Sequence, residues 1–121
     1  MRGALFVGAH LAALGVTLAV EGGGMALVGA MLRLGRSRTL RCAVVALGVN
    51  LVSHTVFWVA YPLVAARWPG GLWGAEAVVA LGEGVAYLWL CRFNWWQALS
   101  SSAVLNLGSF VAGVELWRLW P

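Results

Sequence analysis

Four apolar segments, set apart by three short breaks, account for nearly all of the 121 residues. They run at about 4–32, 41–65, 72–91 and 96–117, with breaks at RLGRSRT (33–39), ARWPGG (66–71) and CRFNWW (91–96). At about 1.5 Å per residue each segment can cross a hydrocarbon layer of about 30 Å, and the first is long enough to tilt or protrude. The backbone finds no water at that depth, so each segment is expected to be a helix that satisfies its own hydrogen bonds. The fold class that follows is all-α: a polytopic four-helix transmembrane bundle forming a single domain over residues 1–121.

Composition points the same way. Hydrophobic residues make up 62% of the chain and charged residues 10%, and the mean hydropathy is +0.87. Those values lie outside soluble globular usage. A sequence pI near 10.1 could suggest nucleic acid, but the charges are too sparse to build a basic face, so no nucleic-acid partner is expected and the lipid bilayer is. MRGALFVGAHLAALGV looks like the start of a signal peptide, yet its apolar run continues past the usual length and is expected to be retained. Cys42 and Cys91 have neither CxxC nor Cys/His spacing and read as small apolar residues, with no disulfide or zinc framework.

The basic residues are all Arg, and their placement sets an orientation. Arg33, Arg36, Arg38 and Arg41 crowd the first break and Arg92 marks the third, against Arg2, Arg67 and Arg118 at the other end. The positive-inside rule then keeps the first and third breaks in the cytoplasm and both termini outside it, in a bacterial inner membrane. Trp68, Trp73, Trp117 and Trp120 would belt the outer interface, and Trp95 and Trp96 the inner one. Gly35 is expected to end the first helix, and Pro69 with Gly70 and Gly71 to make the outer turn.

The two halves echo each other. AVEGGGMALVGAMLR (19–33) precedes NLVS (50–53), and LGEGVAYLWLCR (81–92) precedes NLGS (106–109). Each half reads Glu-Gly, an apolar half-helix, an Arg-bearing turn, then Asn-Leu-x-Ser. Two tandem helical-hairpin repeats would enter the membrane in the same direction, related by an axis along the membrane normal.

Depth singles out the polar residues. The segment midpoints fall near residues 18, 53, 82 and 107, and Glu21, Asn50, His54, Glu83 and Asn106 each lie within about one turn of their own midpoint. Asn50, His54, Phe57 and Tyr61 share one helical stripe, Glu76, Glu83 and Tyr87 another, and Asn106, Ser109 and Gly113 a third; His10, Thr17 and Glu21 make the fourth. A charge at mid-bilayer costs about 2.5–3.5 kcal/mol on insertion scales, so these stripes are expected to turn inward and meet. The candidate substrate or ion-binding residues are therefore Glu21, Asn50, His54, Glu83, Tyr87, Asn106 and Ser109. Two carboxyls are expected to face the His54 imidazole. Gly22–Gly24 either unwinds the span or lets a neighbouring helix approach closely. His10, Glu76 and Glu115 fall in the outer half, at the place of a vestibule.

The order Glu…Asn-x-x-Ser-His…Glu…Asn-x-x-Ser resembles a group of small bacterial four-helix membrane proteins of no assigned function. Their second span looks like N-L-x-T-H-P-x-x-W, and here it stands as Asn50-Leu51-Val52-Ser53-His54-Thr55-Val56-Phe57-Trp58, with Thr55 in place of Pro. The resemblance implies the four-helix fold and leaves substrate and cofactor unassigned.

Three functions remain open from the residues alone. The first is transport, or relay of a proton or cation, through Glu21, His54 and Glu83. The second is an intramembrane metal site on the same three residues, a ligand set that suits Zn, Mn or Fe. The third is a non-catalytic accessory or assembly subunit, either in a homo-oligomer or in a larger membrane complex. No nucleophile–base pair or HExxH motif points to an enzyme, and a purely structural clasp of Asn and Ser is the plain alternative, at about 0.6 kcal/mol per contact.

Overall fold

The computed structural model describes residues 2–65, 67–68 and 70–119, so Pro69 and Trp120 lie outside the described residues. Four helices follow one another: α1 (Arg2–Met31), α2 (Arg36–Ala65), α3 (Gly71–Leu90) and α4 (Trp95–Leu119). Each packs against two others. α1 touches α2 and α4, α3 touches the same two, and neither diagonal pair comes close, so the helices stand in a ring.

α1, α2 and α4 are long and apolar enough to cross a membrane. α3 is the exception to the expected four. At 20 residues it has the length, but it carries two Glu, Glu76 and Glu83, and is not among the three helices that qualify. The outward faces carry Leu27, Leu47, Val59, Val78, Trp89 and Val104, all exposed as a lipid-facing surface would be.

The helix ends explain two departures from the sequence expectation. α1 closes with Arg33 N–H bonded to the Ala30 carbonyl and Leu34 N–H to that of Gly29, the paired bonds of a Schellman cap. The left-handed residue in that cap is Arg33, at φ 52°, not Gly35. Gly35, at φ 79°, instead caps the start of α2, where its carbonyl accepts from Thr39 N–H. α2 thus begins at Arg36, about five residues before the expected apolar boundary, with Arg36, Arg38 and Arg41 in its first turns. Helix formation needs only backbone bonds, which the interfacial residues supply as well as apolar ones do. α4 opens with a reciprocal pair: Asn94 N–H donates to Gln97 Oε1 and Gln97 N–H to Asn94 Oδ1. This capping box is legible in the Asn-x-x-Gln spacing of NWWQ.

The glycines of α1 settle the question they raised. The helix runs unbroken through Gly22–Gly24. A Cβ on Gly22 would sit 2.7 Å from Leu47 of α2, one on Gly24 would collide with Leu105 of α4, and one on Gly23 would meet nothing. The glycines let α1 approach both neighbours and do not unwind it.

The core holds Met25, Cys42, Ala46, Tyr87, Cys91, Phe93, Ala98 and Leu105, and both cysteines are free thiols within it. Arg38 ties α2 to the end of α3. Its Nη2 donates to the Cys91 carbonyl at 3.1 Å and the Arg92 carbonyl at 2.8 Å. A cation on otherwise unpaired carbonyls also suits the negative end of a helix dipole.

Candidate functional site

The carboxyls at the centre of the ring are anchored by hydroxyls and amides from other helices. Glu83 of α3 is 1% exposed. Its Oε1 accepts from Ser53 Oγ of α2 at 2.6 Å, and its Oε2 accepts from Asn106 Nδ2 of α4 at 2.6 Å. Glu21 of α1 is 0% exposed, and its Oε1 accepts from Ser109 Oγ of α4 at 3.1 Å. Asn106 and Ser109, three residues apart on α4, thus serve one carboxyl each. Their spacing puts both on one helix face, which is why Asn-Leu-x-Ser works as a unit.

Asn50 of α2 is 1% exposed, and its Nδ2 donates to the Ala46 carbonyl at 3.0 Å. Its carboxamide lies beside both Glu21 and Tyr87. Tyr87 is fully buried, four residues beyond Glu83. Two buried atoms here, Glu21 Oε2 and Tyr87 Oη, have no hydrogen-bond partner among the described residues.

His54 departs from the expectation. Its imidazole does not bond either carboxyl. It stacks on His10 of α1, ring centroids 5.4 Å apart and planes at 16°, with Trp58 beside both. The reason is angular. Successive helix residues step by about 100°, so when Ser53 faces Glu83 of α3, His54 must turn away from it, here toward α1. The His10–His54 pair was missed because each imidazole was read on its own helix. Glu115, expected in the vestibule, lies on the surface, where it pairs with Arg118 at 2.8 Å.

A cavity of about 210 Å³ is lined by Ser53, Asn106 and Ser109, the donors to Glu83 and Glu21, and by the carboxyl of Glu76, while Glu21 and Glu83 themselves stand behind those donors. Its polar lining is Thr17 from α1, Asn50, Ser53 and His54 from α2, Glu76 from α3, and Asn106 and Ser109 from α4. All four helices contribute. The cavity reaches toward the end of the bundle marked by Leu72 and Trp117, and this is where the expected vestibule falls for Glu76.

The metal candidates Glu21, His54 and Glu83 are not drawn together. Among the described residues no group of three or more His, Cys, Asp or Glu is placed to hold a metal ion. The turn of His54 toward His10 removes the nitrogen ligand from the carboxyls.

Comparison with protein-family models, with curated proteins and with solved structures found no match. What the chain does must be argued from its own geometry.

Proposed function

We propose that this chain is a polytopic protein of the bacterial inner membrane whose bundle encloses a site where Glu21 and Glu83 exchange a proton or small cation with the outer cavity. One observation carries the reading. Two carboxyl groups, neither more than 1% exposed, are held among the described residues by the neutral side chains of Ser53, Asn106 and Ser109, with Asn50 beside Glu21. A structural clasp needs no titratable group, since amides and hydroxyls hold helices together at less cost in hydrocarbon. Carboxyls without a basic partner must bind a proton or a cation to rest at that depth, and groups that bind one reversibly can pass it on.

On this reading α3 crosses the membrane with the others, because its carboxyls belong to the interior and its apolar residues to the lipid. The two hairpins are tandem repeats. Buried Glu21, Met25 and Gly29 match buried Glu83, Tyr87 and Cys91, and Ala46, Asn50 and Ser53 match Ser102, Asn106 and Ser109 in spacing. A left-handed Arg, Arg33 or Arg92, follows the first helix of each hairpin. The Arg-rich first connection and the third, marked by Arg92, lie in the cytoplasm, with both termini outside it.

The test is proton flux into sealed liposomes under an imposed gradient, comparing the native protein with Glu21→Gln and Glu83→Gln. Gln keeps shape and hydrogen bonding while removing the exchangeable charge. Flux that falls to the level of empty liposomes in either variant supports the reading. Flux absent from the native protein, or unchanged in the double variant, leaves the carboxyls as a clasp.

A further inference from the structure

We propose that the site takes a single-chain amphiphile with a protonated amine head, admitted sideways from the bilayer between α2 and α3. The inference rests on the reading that Glu83 and its neighbours form a functional site, and it names the class of molecule that site accepts. Its basis is a second cavity of about 650 Å³ that opens along the α2–α3 seam. Its walls are apolar. Val52 and Val56 of α2 and Val78 of α3 stand on its rim, exposed toward the surrounding lipid, and Gly48 and Gly82, exposed as well, line it without side chains. The volume lies within the range of about 300–1,000 Å³ that one small ligand fills.

The seam and the polar cavity are neighbours with a common wall. Ser53, Phe57 and Val79 line both. Glu83 lines the seam, and the bond it accepts from Ser53 lies in that shared wall. A molecule seated across the wall would place a hydrocarbon chain against valines and its head among Glu83, Ser53, Asn106 and Glu76. No Arg or Lys lines either space among the described residues. His54 lines the polar cavity but bonds neither Glu21 nor Glu83, and carboxyl groups with no Arg or Lys beside them complement an ammonium group, whose N–H bonds they accept, and repel phosphate or carboxylate heads. Neither space alone suits such a molecule: the polar cavity is too small for a chain, and the seam has almost no polar surface beyond Ser53, Tyr61 and Glu83.

The experiment measures binding of a fluorescent long-chain alkylamine to the full chain in zwitterionic nanodiscs, against empty discs. A fatty acid of equal chain length and ethylamine serve as competitors. The alkylamine is expected to bind saturably, to resist both competitors, and to bind about tenfold more weakly in Gly82→Leu, which removes room for the chain. A Cβ at Gly82, which lines the seam, meets nothing within 4 Å, so the substitution starts without a backbone clash. Gly48→Leu, equally unobstructed on the facing wall, is the second variant should the first misfold. Proton flux that depends on Glu21 and Glu83 is expected to persist in both. Equal competition by the fatty acid, displacement by ethylamine, or unchanged binding in the leucine variants would overturn the proposal while leaving the carboxyl reading intact. Loss of carboxyl dependence in the flux assay would instead remove the reading on which it rests.

Discussion

Asn106 on α4 donates its carboxamide to Glu83 on α3 at 2.6 Å, inside a bundle whose described interior offers that carboxyl no basic partner. The same nitrogen lies 3.0 Å from the Ser102 carbonyl one turn back, so the amide is held in place before it meets the glutamate. Asn106→Ala leaves Glu83 Oε2 buried without its donor. Stability is expected to fall by about 1–3 kcal/mol, read as a lower melting temperature in mild detergent. Asn106→Asp sets a second carboxyl directly against Glu83 and is expected to melt lower still.

Gly24 gives a test of helix approach that is independent of the polar residues. Gly24→Val drives a branched side chain into Leu105 and is expected to cost about 1–3 kcal/mol, with α1 parting from α4. Gly23→Ala meets open space and is expected to be neutral or stabilising, by up to about 1 kcal/mol, through helix propensity. The Gly24→Val unfolding curve should fall below the native one, and the Gly23→Ala curve should lie on it or above it.

For His54 the geometry replaces the expectation that two carboxyls face its imidazole. His54→Ala removes a ring stacked on His10 and is expected to cost about 0.5–1.5 kcal/mol, less than Asn106→Asp. His10→Ala should cost a similar amount, and the double variant less than the sum. Additive losses would show that the two rings do not interact.

Arg38 is expected to fasten the Arg-rich end of the bundle. Arg38→Ala releases the Cys91 and Arg92 carbonyls and should cost about 1 kcal/mol, with faster hydrogen exchange at the end of α3. Arg38→Lys should restore only part of this, because an ammonium lacks the second nitrogen, Nε, that also donates to the Cys91 carbonyl at 3.3 Å.

Orientation is checked by reporter fusion. With the Arg cluster of the first connection held in the cytoplasm, a C-terminal alkaline phosphatase should be active and a C-terminal fluorescent protein dark.

Much of this was legible in the chain because depth and helical phase are properties of a single segment. The spacing of Asn106 and Ser109 already put them on one face, and the midpoint arithmetic already placed Glu21 and Glu83 at similar depth. Partner choice was not legible, because it depends on how far each neighbouring helix rotates. Ser53, read only as part of a repeat, proves to be the α2 donor to Glu83, and it turns His54 toward His10. The α2 boundary was misplaced for a related reason: apolar runs mark lipid, whereas helices extend into the interface as long as a cap such as Gly35 starts them. Asn94 and Gln97 carried a readable cap signal at α4 that the apolar pattern overshadowed.

The central claim is that Glu21 and Glu83 are exchangeable groups, reached by protons from outside the bundle. Infrared difference spectroscopy of the reconstituted protein during a pH change tests it most directly, by following the carboxyl C=O stretch. The account predicts a band that weakens in Glu21→Gln and again in Glu83→Gln, and that in the double variant keeps only what Glu76 and Glu115 contribute. A native spectrum with no such band, or a band indifferent to both substitutions, would contradict it.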